Sequence, residues 1–348
     1  MMTKNTALVY HPDYLIHTQG QHPERKERLE QIMLAYQDQD LDKIVDIVKP
    51  LPASVEDLQL IHDPDYIKTV EAACLAGRAF LDMDTYIVPE SYRVALLSAG
   101  GVLTGLKMVM AGEPGKVFVI NRPPGHHAEY DKAMGFCLFN NVAIAAAKAF
   151  EDYNLQRIAI IDWDVHHGNG TQHSFEDDPR LLFISTHQSP AYPGSGSINE
   201  SGSGKGEGFT VNLPLPAGCG DVEYELCFNE VIVPILDQFK PELVIVSAGQ
   251  DAYHLDPLAS MALTHKGYYM MAETLAAVAD RWAGGRMLLC LEGGYHLQGQ
   301  AGAVIQVLNA IGNLGLPITE QSPLSEPGRS FREHLEALKA VQRKYWKL

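Results

Sequence analysis

Seven short apolar runs rich in β-forming residues recur along the chain, separated by stretches of helical periodicity, and this alternation limits the open folds more than any other feature. The runs are ALVY (7–10), KVFVI (116–120), RIAIID (157–162), LLFIST (181–186), FTVNLPL (209–215), LVIVSAG (243–249) and RMLLCLEGG (286–294). Between most of them lie segments such as ERKERLEQIMLAY, SYRVALLSAGGVLTGLKMVM, NVAIAAAKAF and GYYMMAETLAAVADRW, with the apolar spacing of a helix. Near-continuous apolar strands that alternate with helices predict an α/β protein with a parallel sheet covered on both faces. At 348 residues and 46% hydrophobic the chain can bury one large core, and a single domain over 1–348 is expected. FREHLEALKAVQRKYWKL reads as an amphipathic terminal helix packed on the outside, and the Gly/Ser-rich stretch near 195–208 as a mobile loop between two strands.

In open α/β sheets ligands sit beyond the carboxyl ends of the strands, so the polar residues just past these runs carry the functional information. The strongest case is IIDWDVHHGNGTQ (160–172), where an apolar strand runs into Asp162, Asp164 and His166. Strand side chains alternate faces, so residues two apart can project to one side. Aspartates at the end of a buried strand are costly unless paired or coordinated, which speaks against plain core packing. In SAGQDAYHLDPL another strand delivers Asp251 to the same sheet edge. Alone, Asp251 reads equally as a turn or helix cap. With Asp164 and His166 it makes three N/O ligands with a position left open, the build of a catalytic zinc site. In NRPPGHHAEYDKAMGFCLFNN (121–141) a Pro-Pro-Gly turn is followed by His126 and His127, and Asp162 is placed to fix the tautomer of one of them. A surface pair serving nothing is the bland alternative for these histidines. LEGGYHLQ ends a strand at Tyr295, either a rim tyrosine or an O–H donor for an oxyanion.

Composition excludes several classes. No stretch approaches about 18 unbroken apolar residues, the N-terminus lacks a signal-peptide pattern, and a cytoplasmic, non-membrane protein is expected. Cys74, Cys137, Cys219, Cys227 and Cys290 are odd in number and form no C-x-x-C pair, against a disulfide framework or a thiolate metal site. A formal charge of −16 disfavours direct nucleic-acid binding and suits a cationic partner or simple solubility.

RPPGHHA, GFCLFNN, DWDVHHGNGTQ, SAGQDA, DPL and LEGGY resemble, in order, the signature blocks of the zinc-dependent histone deacetylase and acetylpolyamine amidohydrolase family, especially its class II branch and bacterial relatives. The likeness spans about residues 10–312, leaving 313–348 as a C-terminal helical extension. It implies an arginase-like three-layer fold with a mostly parallel, eight-stranded sheet. It also implies one zinc ion on Asp164, His166 and Asp251, with Tyr295 as transition-state donor, His127 as general base toward water and then acid toward the leaving amine, and His126 as electrostatic partner. Phe136 and Tyr192 match an aromatic pair lining a narrow channel, with Gly135 beside Phe136. Asp84 matches a group that holds substrate backbone. Asp162 and Ser185 match a potassium site, with a second near Phe175 and Phe209, and HPERKERL (22–29) matches a segment passing under the site. Asn169 stands where class I relatives have aspartate, and a neutral amide there leaves His127 less basic. The implied substrates are acetyl-lysine in proteins or peptides and acetylated polyamines, and a homo-oligomer is compatible. Two rivals stand against this reading: a two-manganese ureohydrolase of the same fold, whose D-A-H-x-D-type strings are absent, and a binding protein that recognises acylated amines without turnover.

Overall fold

The computed structural model describes residues 6–318, 320 and 326–348. Residues 1–5 of the N-terminus read above for a signal, and residues 319 and 321–325 of the 313–348 extension, lie outside them. The strands are β1 (Thr6–Val9), β2 (Asp46–Val48), β3 (Lys116–Val119), β4 (Ile158–Asp162), β5 (Leu181–Gln188), β6 (Thr210–Leu215), β7 (Leu243–Ala248) and β8 (Met287–Leu291). They form one sheet in the order β2-β1-β3-β8-β7-β4-β5-β6, parallel throughout. The helices are α1 (Glu27–Asp38), α2 (Val55–Leu58), α3 (Pro64–Leu75), α4 (Ser91–Ala111), α5 (Asn141–Tyr153), α6 (Asn169–Phe175), α7 (Asp221–Cys227), α8 (Val233–Phe239), α9 (His265–Trp282), α10 (Leu297–Gly312) and α11 (Arg329–Gln342).

Side-chain alternation splits the sheet between two cores. Ile158 and Ile160, Leu243 and Ile245, and Leu288 face α3, α4 and α5; Ala159 and Ile161, Val244 and Val246, and Leu289 face α1, α9 and α10. Each such Ile or Leu, fully buried, contributes about 1.5–3 kcal/mol. Helix α4 is long and apolar enough to cross a membrane by composition, but its most apolar window is 61% buried inside the protein, as a core helix requires. All five cysteines are free and buried.

One expectation shifts, and the terminal helix packs on the outside as expected. The segment near 195–208 is pinned rather than loose: Glu200 accepts from Gln172 Nε2 at 2.8 Å and from the Gly196 and Ser197 N–H groups, and Gly196 O meets His187 Nε2 at 2.9 Å. Helix α11 buries Phe331, Leu335 and Leu338 and brings His334 Nε2 to 2.7 Å from Pro214 O, so it caps the β6 edge of the sheet.

Three buried histidines stay neutral in the fold. Burial lowers His17 from 6.5 to about 3, His62 to about 4 and His187 to about 3. A group whose folded pKa is depressed lends stability that is full above its unfolded pKa and lost as pH falls toward the folded one. Unfolding free energy is therefore expected to decline between about pH 6.5 and pH 4 by on the order of several kcal/mol. Urea titrations at stepped pH check this, and a flat profile over that window would refute it.

Candidate metal centre

The four central strands, β3, β8, β7 and β4, end side by side, and the segments leaving them build one site. Past β4, Asp164 and His166 meet Asp251 from beyond β7, with ligand atoms all within 4.8 Å of one another. His166 Nδ1 lies 3.1 Å from Asp164 Oδ1 and 3.2 Å from Asp251 Oδ2. Backbone N–H groups orient both carboxylates: Gly293 N donates to Asp164 Oδ2 at 2.8 Å, and Val165 N to Asp251 Oδ1 at 2.8 Å. Asp251 Oδ2 is buried and faces the centre, where its near neighbour of opposite charge type is the His166 imidazole at 3.2 Å, placed without good hydrogen-bond geometry. A buried carboxylate oxygen left this way, beside a second carboxylate and an imidazole, fits a divalent cation. Gly293 is required here, because a Cβ would collide with Asp251 Oδ2.

A second ligand-type group, His126, Cys137 and Glu292, is equally tight, but its donors are spent. Glu292 Oε2 accepts from Gly125 N at 2.6 Å and from His126 N, and the Cys137 thiol donates to Gly135 O. These residues form a hydrogen-bonded floor. Burial pushes Glu292 up to about 7.

The tandem histidines differ in charge because their partners differ. His126 Nδ1 lies 3.0 Å from Asp162 Oδ2; burial opposes its charged form, but Asp162 and Asp164 outweigh burial and raise it to about 10. His127 Nδ1 lies 2.7 Å from Asn169 Oδ1, and burial, then the His126 and His166 charges, hold it well below 6.5. Burial and the neighbouring imidazoles are the larger causes that lower His127, and the Asn169 hydrogen bond raises it by less than they lower it. Burial keeps the Tyr295 phenol protonated, far above 10.

Above the centre is a cavity of about 210 Å³ lined by His126, His127 and His166, by Phe136, Tyr192 and Tyr295, and by Asp84 and Gly135. Phe136 stands edge-on to Tyr295 at 5.9 Å, and Tyr192 edge-on to His127 at 5.1 Å. Gly135 and Phe136 both have positive φ, and a Cβ on Gly135 would strike the His127 ring, so this turn needs glycine before the aromatic. Leu258 and Pro124 also line the cavity; they fall inside the DPL and RPPGHHA blocks, but neither is assigned a place in it from sequence. Among these lining residues Asp84 is the single carboxylate. A larger cleft of about 500 Å³ between α9 and the end of α10 gathers no comparable ligand set.

Ser185 pairs with Asp162 across β4 and β5, but its hydroxyl meets His187 Nδ1 at 2.9 Å. The carbonyls of Phe175 and Phe209 accept from Asp178 N and Phe183 N. The segment 22–29 does run beneath the site, although α1 begins only at Glu27. Arg28, fully buried, donates to Gly294 O at 2.6 Å and to Glu292 O, and lies 5.0 Å below the Tyr295 ring. Glu24 binds both Arg28 at 3.0 Å and Arg122 at 2.5 Å, and against burial these two hold it well below the carboxylate range. Glu24→Gln is expected to destabilise the protein by about 3–5 kcal/mol, since it strands two buried guanidinium groups. Chemical denaturation at neutral pH measures this, and a change under about 1 kcal/mol would refute it.

Residues 22–311 match the family model of the histone deacetylase domain. The chain belongs to the histone deacetylase family. It is a hydrolase by that membership. This family member is 39% identical to the "Probable deacetylase" of Archaeoglobus fulgidus, over 98% of the chain and 99% of the relative. It is 34% identical to the "Histone deacetylase-like amidohydrolase" of Pseudomonas aeruginosa (95% and 93% covered), and 36% identical to human "Polyamine deacetylase HDAC10" (98% and 53% covered). The crystal structure of the HDA15 HD domain superposes with a TM-score of 0.90 at 32% identity, covering 99% of this chain and 96% of that one. The arginase-like, eight-stranded α/β fold implied by the resemblance is the fold observed.

Proposed function

We propose that this histone deacetylase family member hydrolyses the amide of an acetylated amine, using one zinc ion held by Asp164, His166 and Asp251. The observation that supports the reading is the convergence of the buried Asp251 Oδ2, to which no group donates with good hydrogen-bond geometry, with His166 and Asp164 at the floor of a cavity that also holds Tyr295 and the two histidines. Zinc, when bound, supplies Lewis-acid polarisation of the acyl carbonyl and acidifies water. Neutral His127 takes the proton of the attacking water at Nε2, because its Nδ1–H is committed to Asn169 Oδ1. As the C–O bond forms, the Tyr295 O–H donates to the developing oxyanion, and the positive charge on His126 stabilises it from behind. His127 then passes its proton to the amine nitrogen as the C–N bond breaks, releasing acetate and free amine.

Phe136 and Tyr192 flank the acyl-bearing arm, Gly135 allows its close passage, and Asp84 accepts a hydrogen bond from a substrate N–H. The overall charge of −16 favours cationic amines, so acetyl-lysine peptides and acetylated polyamines are the proposed substrate class. A structural potassium ion beside Asp162 and Ser185 is part of the reading, supported by the strand register that pairs these residues. The test is an assay of zinc-loaded protein against acetyl-lysine peptides and N-acetylated polyamines. Turnover of one class is expected, and its absence for every acylated amine at one bound metal per chain would favour a binding protein instead.

A further inference from the structure

Asn169 can serve His127 in either of two amide orientations, and only one is useful. Its oxygen toward His127 Nδ1 requires an N–H there and frees Nε2 as a base; its NH₂ toward Nδ1 would put the proton on Nε2 and silence it. The local hydrogen bonds decide between the two. Asn169 Nδ2 reaches the carboxylate of Glu129 at 2.5 Å and His127 O at 3.2 Å, both acceptors only. Glu129 is fixed in turn by His173, whose Nδ1 lies 2.9 and 3.0 Å from its two oxygens. The carboxylate is only 20% exposed, while His173 opens to solvent in a surface recess with Leu60, Ile61 and Tyr130.

We propose that Glu129 is a positioning residue for the reaction: as an obligate acceptor it fixes the Asn169 amide, and through it the catalytic tautomer of His127. This rests on His127 being the general base. A carboxylate in place of the Asn169 amide has no orientation to set, so the role predicts a reversal that packing alone would not produce. Glu129→Lys, a donor in place of the acceptor, is expected to lower kcat about 100-fold with KM within about twofold, the lower end of what a general base contributes. Glu129→Gln, whose amide oxygen can still accept, is expected to keep kcat within about tenfold of wild type. Adding Asn169→Asp to Glu129→Lys is expected to restore kcat at least about tenfold, because the introduced carboxylate accepts from His127 whichever way it turns and pairs with the introduced ammonium. Additive losses in the double variant, or an unchanged kcat in Glu129→Lys, would overturn the proposal. Ring-nitrogen chemical shifts of His127 separate this from failure of the base assignment. If the wild-type ring is protonated at Nδ1 and Glu129→Lys moves the proton to Nε2, the positioning role stands even where His127→Ala retains turnover; if the tautomer does not move, the role is refuted whatever the rates.

Discussion

Asp251→Asn is expected to leave the metal-free protein folded and at least as stable as wild type, while removing both stabilisation by zinc and turnover. The substitution keeps shape and one hydrogen bond, since the amide oxygen can still accept from Val165 N as Asp251 Oδ1 does at 2.8 Å. What changes is the second atom. In place of Oδ2, an NH₂ group now points at His166 and Asp164 and repels a cation. Without metal, burial and the Asp164 charge push Asp251 up to about 7, so a neutral amide relieves an unfavourable charge. A ligand binding only the folded state stabilises it by about 4 kcal/mol at a concentration 1,000 times Kd, which wild type gains with zinc and the variant does not. The loss in metal affinity should exceed the roughly 10- to 100-fold caused by removing an outer partner of a ligand. Thermal unfolding with and without zinc, together with metal content, makes the measurement. A variant that binds one zinc and gains the wild-type stabilisation would show that Asp251 is not a ligand.

The parts of this protein legible in its sequence are those where one strand announces itself and ends in an unusual residue. Strands β3, β4, β7 and β8 are buried on both faces, so they read as unbroken apolar runs, and Asp162, Asp164, His166, Asp251 and Tyr295 stand out at or just past the ends of three of them. Strand β2 is three residues at the sheet edge, partly exposed, and offers no apolar run to find. Helix α10 buries eleven of its sixteen residues, Gly299 and Gln300 among them, so it lacks the polar stripe that marks a surface helix. Charged residues hide best. Glu24, Arg28 and Arg122 look like solvated side chains in a linear reading, and their burial appears only when segments 98 positions apart meet. Glu292 sits inside the recognisable LEGGY block, yet its work on Gly125 spans 167 positions. Glu129 lies two residues past the tandem histidines and reads as a rim charge until Asn169 is placed beside it. Resemblance supplies roles for the ligands and the tyrosine but none for these carboxylates.

Tyr295→Phe is expected to lower kcat about 100- to 1,000-fold, the effect of deleting one preorganised oxyanion donor, with KM little changed. The structure lets this substitution act on chemistry alone. The ring is held by its edge-on packing against Phe136 at 5.9 Å and by the Arg28 guanidinium 5.0 Å beneath it, and phenylalanine keeps both. The turn carrying it is fixed through the main chain: Asp256 Oδ2 accepts from Tyr295 N at 2.6 Å and from His296 N at 3.1 Å, and Arg28 holds Gly294 O. None of these anchors uses the hydroxyl. The proton stays on the phenol because burial and the nearby Asp251 and Asp164 charges disfavour phenolate, so the group donates across the neutral pH range. Loss of a donor that acts only as charge develops lowers kcat and kcat/KM together, whereas a binding role would raise KM at constant kcat. Zinc-dependent stabilisation should match wild type in this variant, in contrast to Asp251→Asn, because Tyr295 is not among the three converging ligands. Steady-state kinetics and thermal unfolding on the same preparation separate the two outcomes, and a Tyr295→Phe enzyme with kcat within about threefold of wild type would remove the phenol from the mechanism.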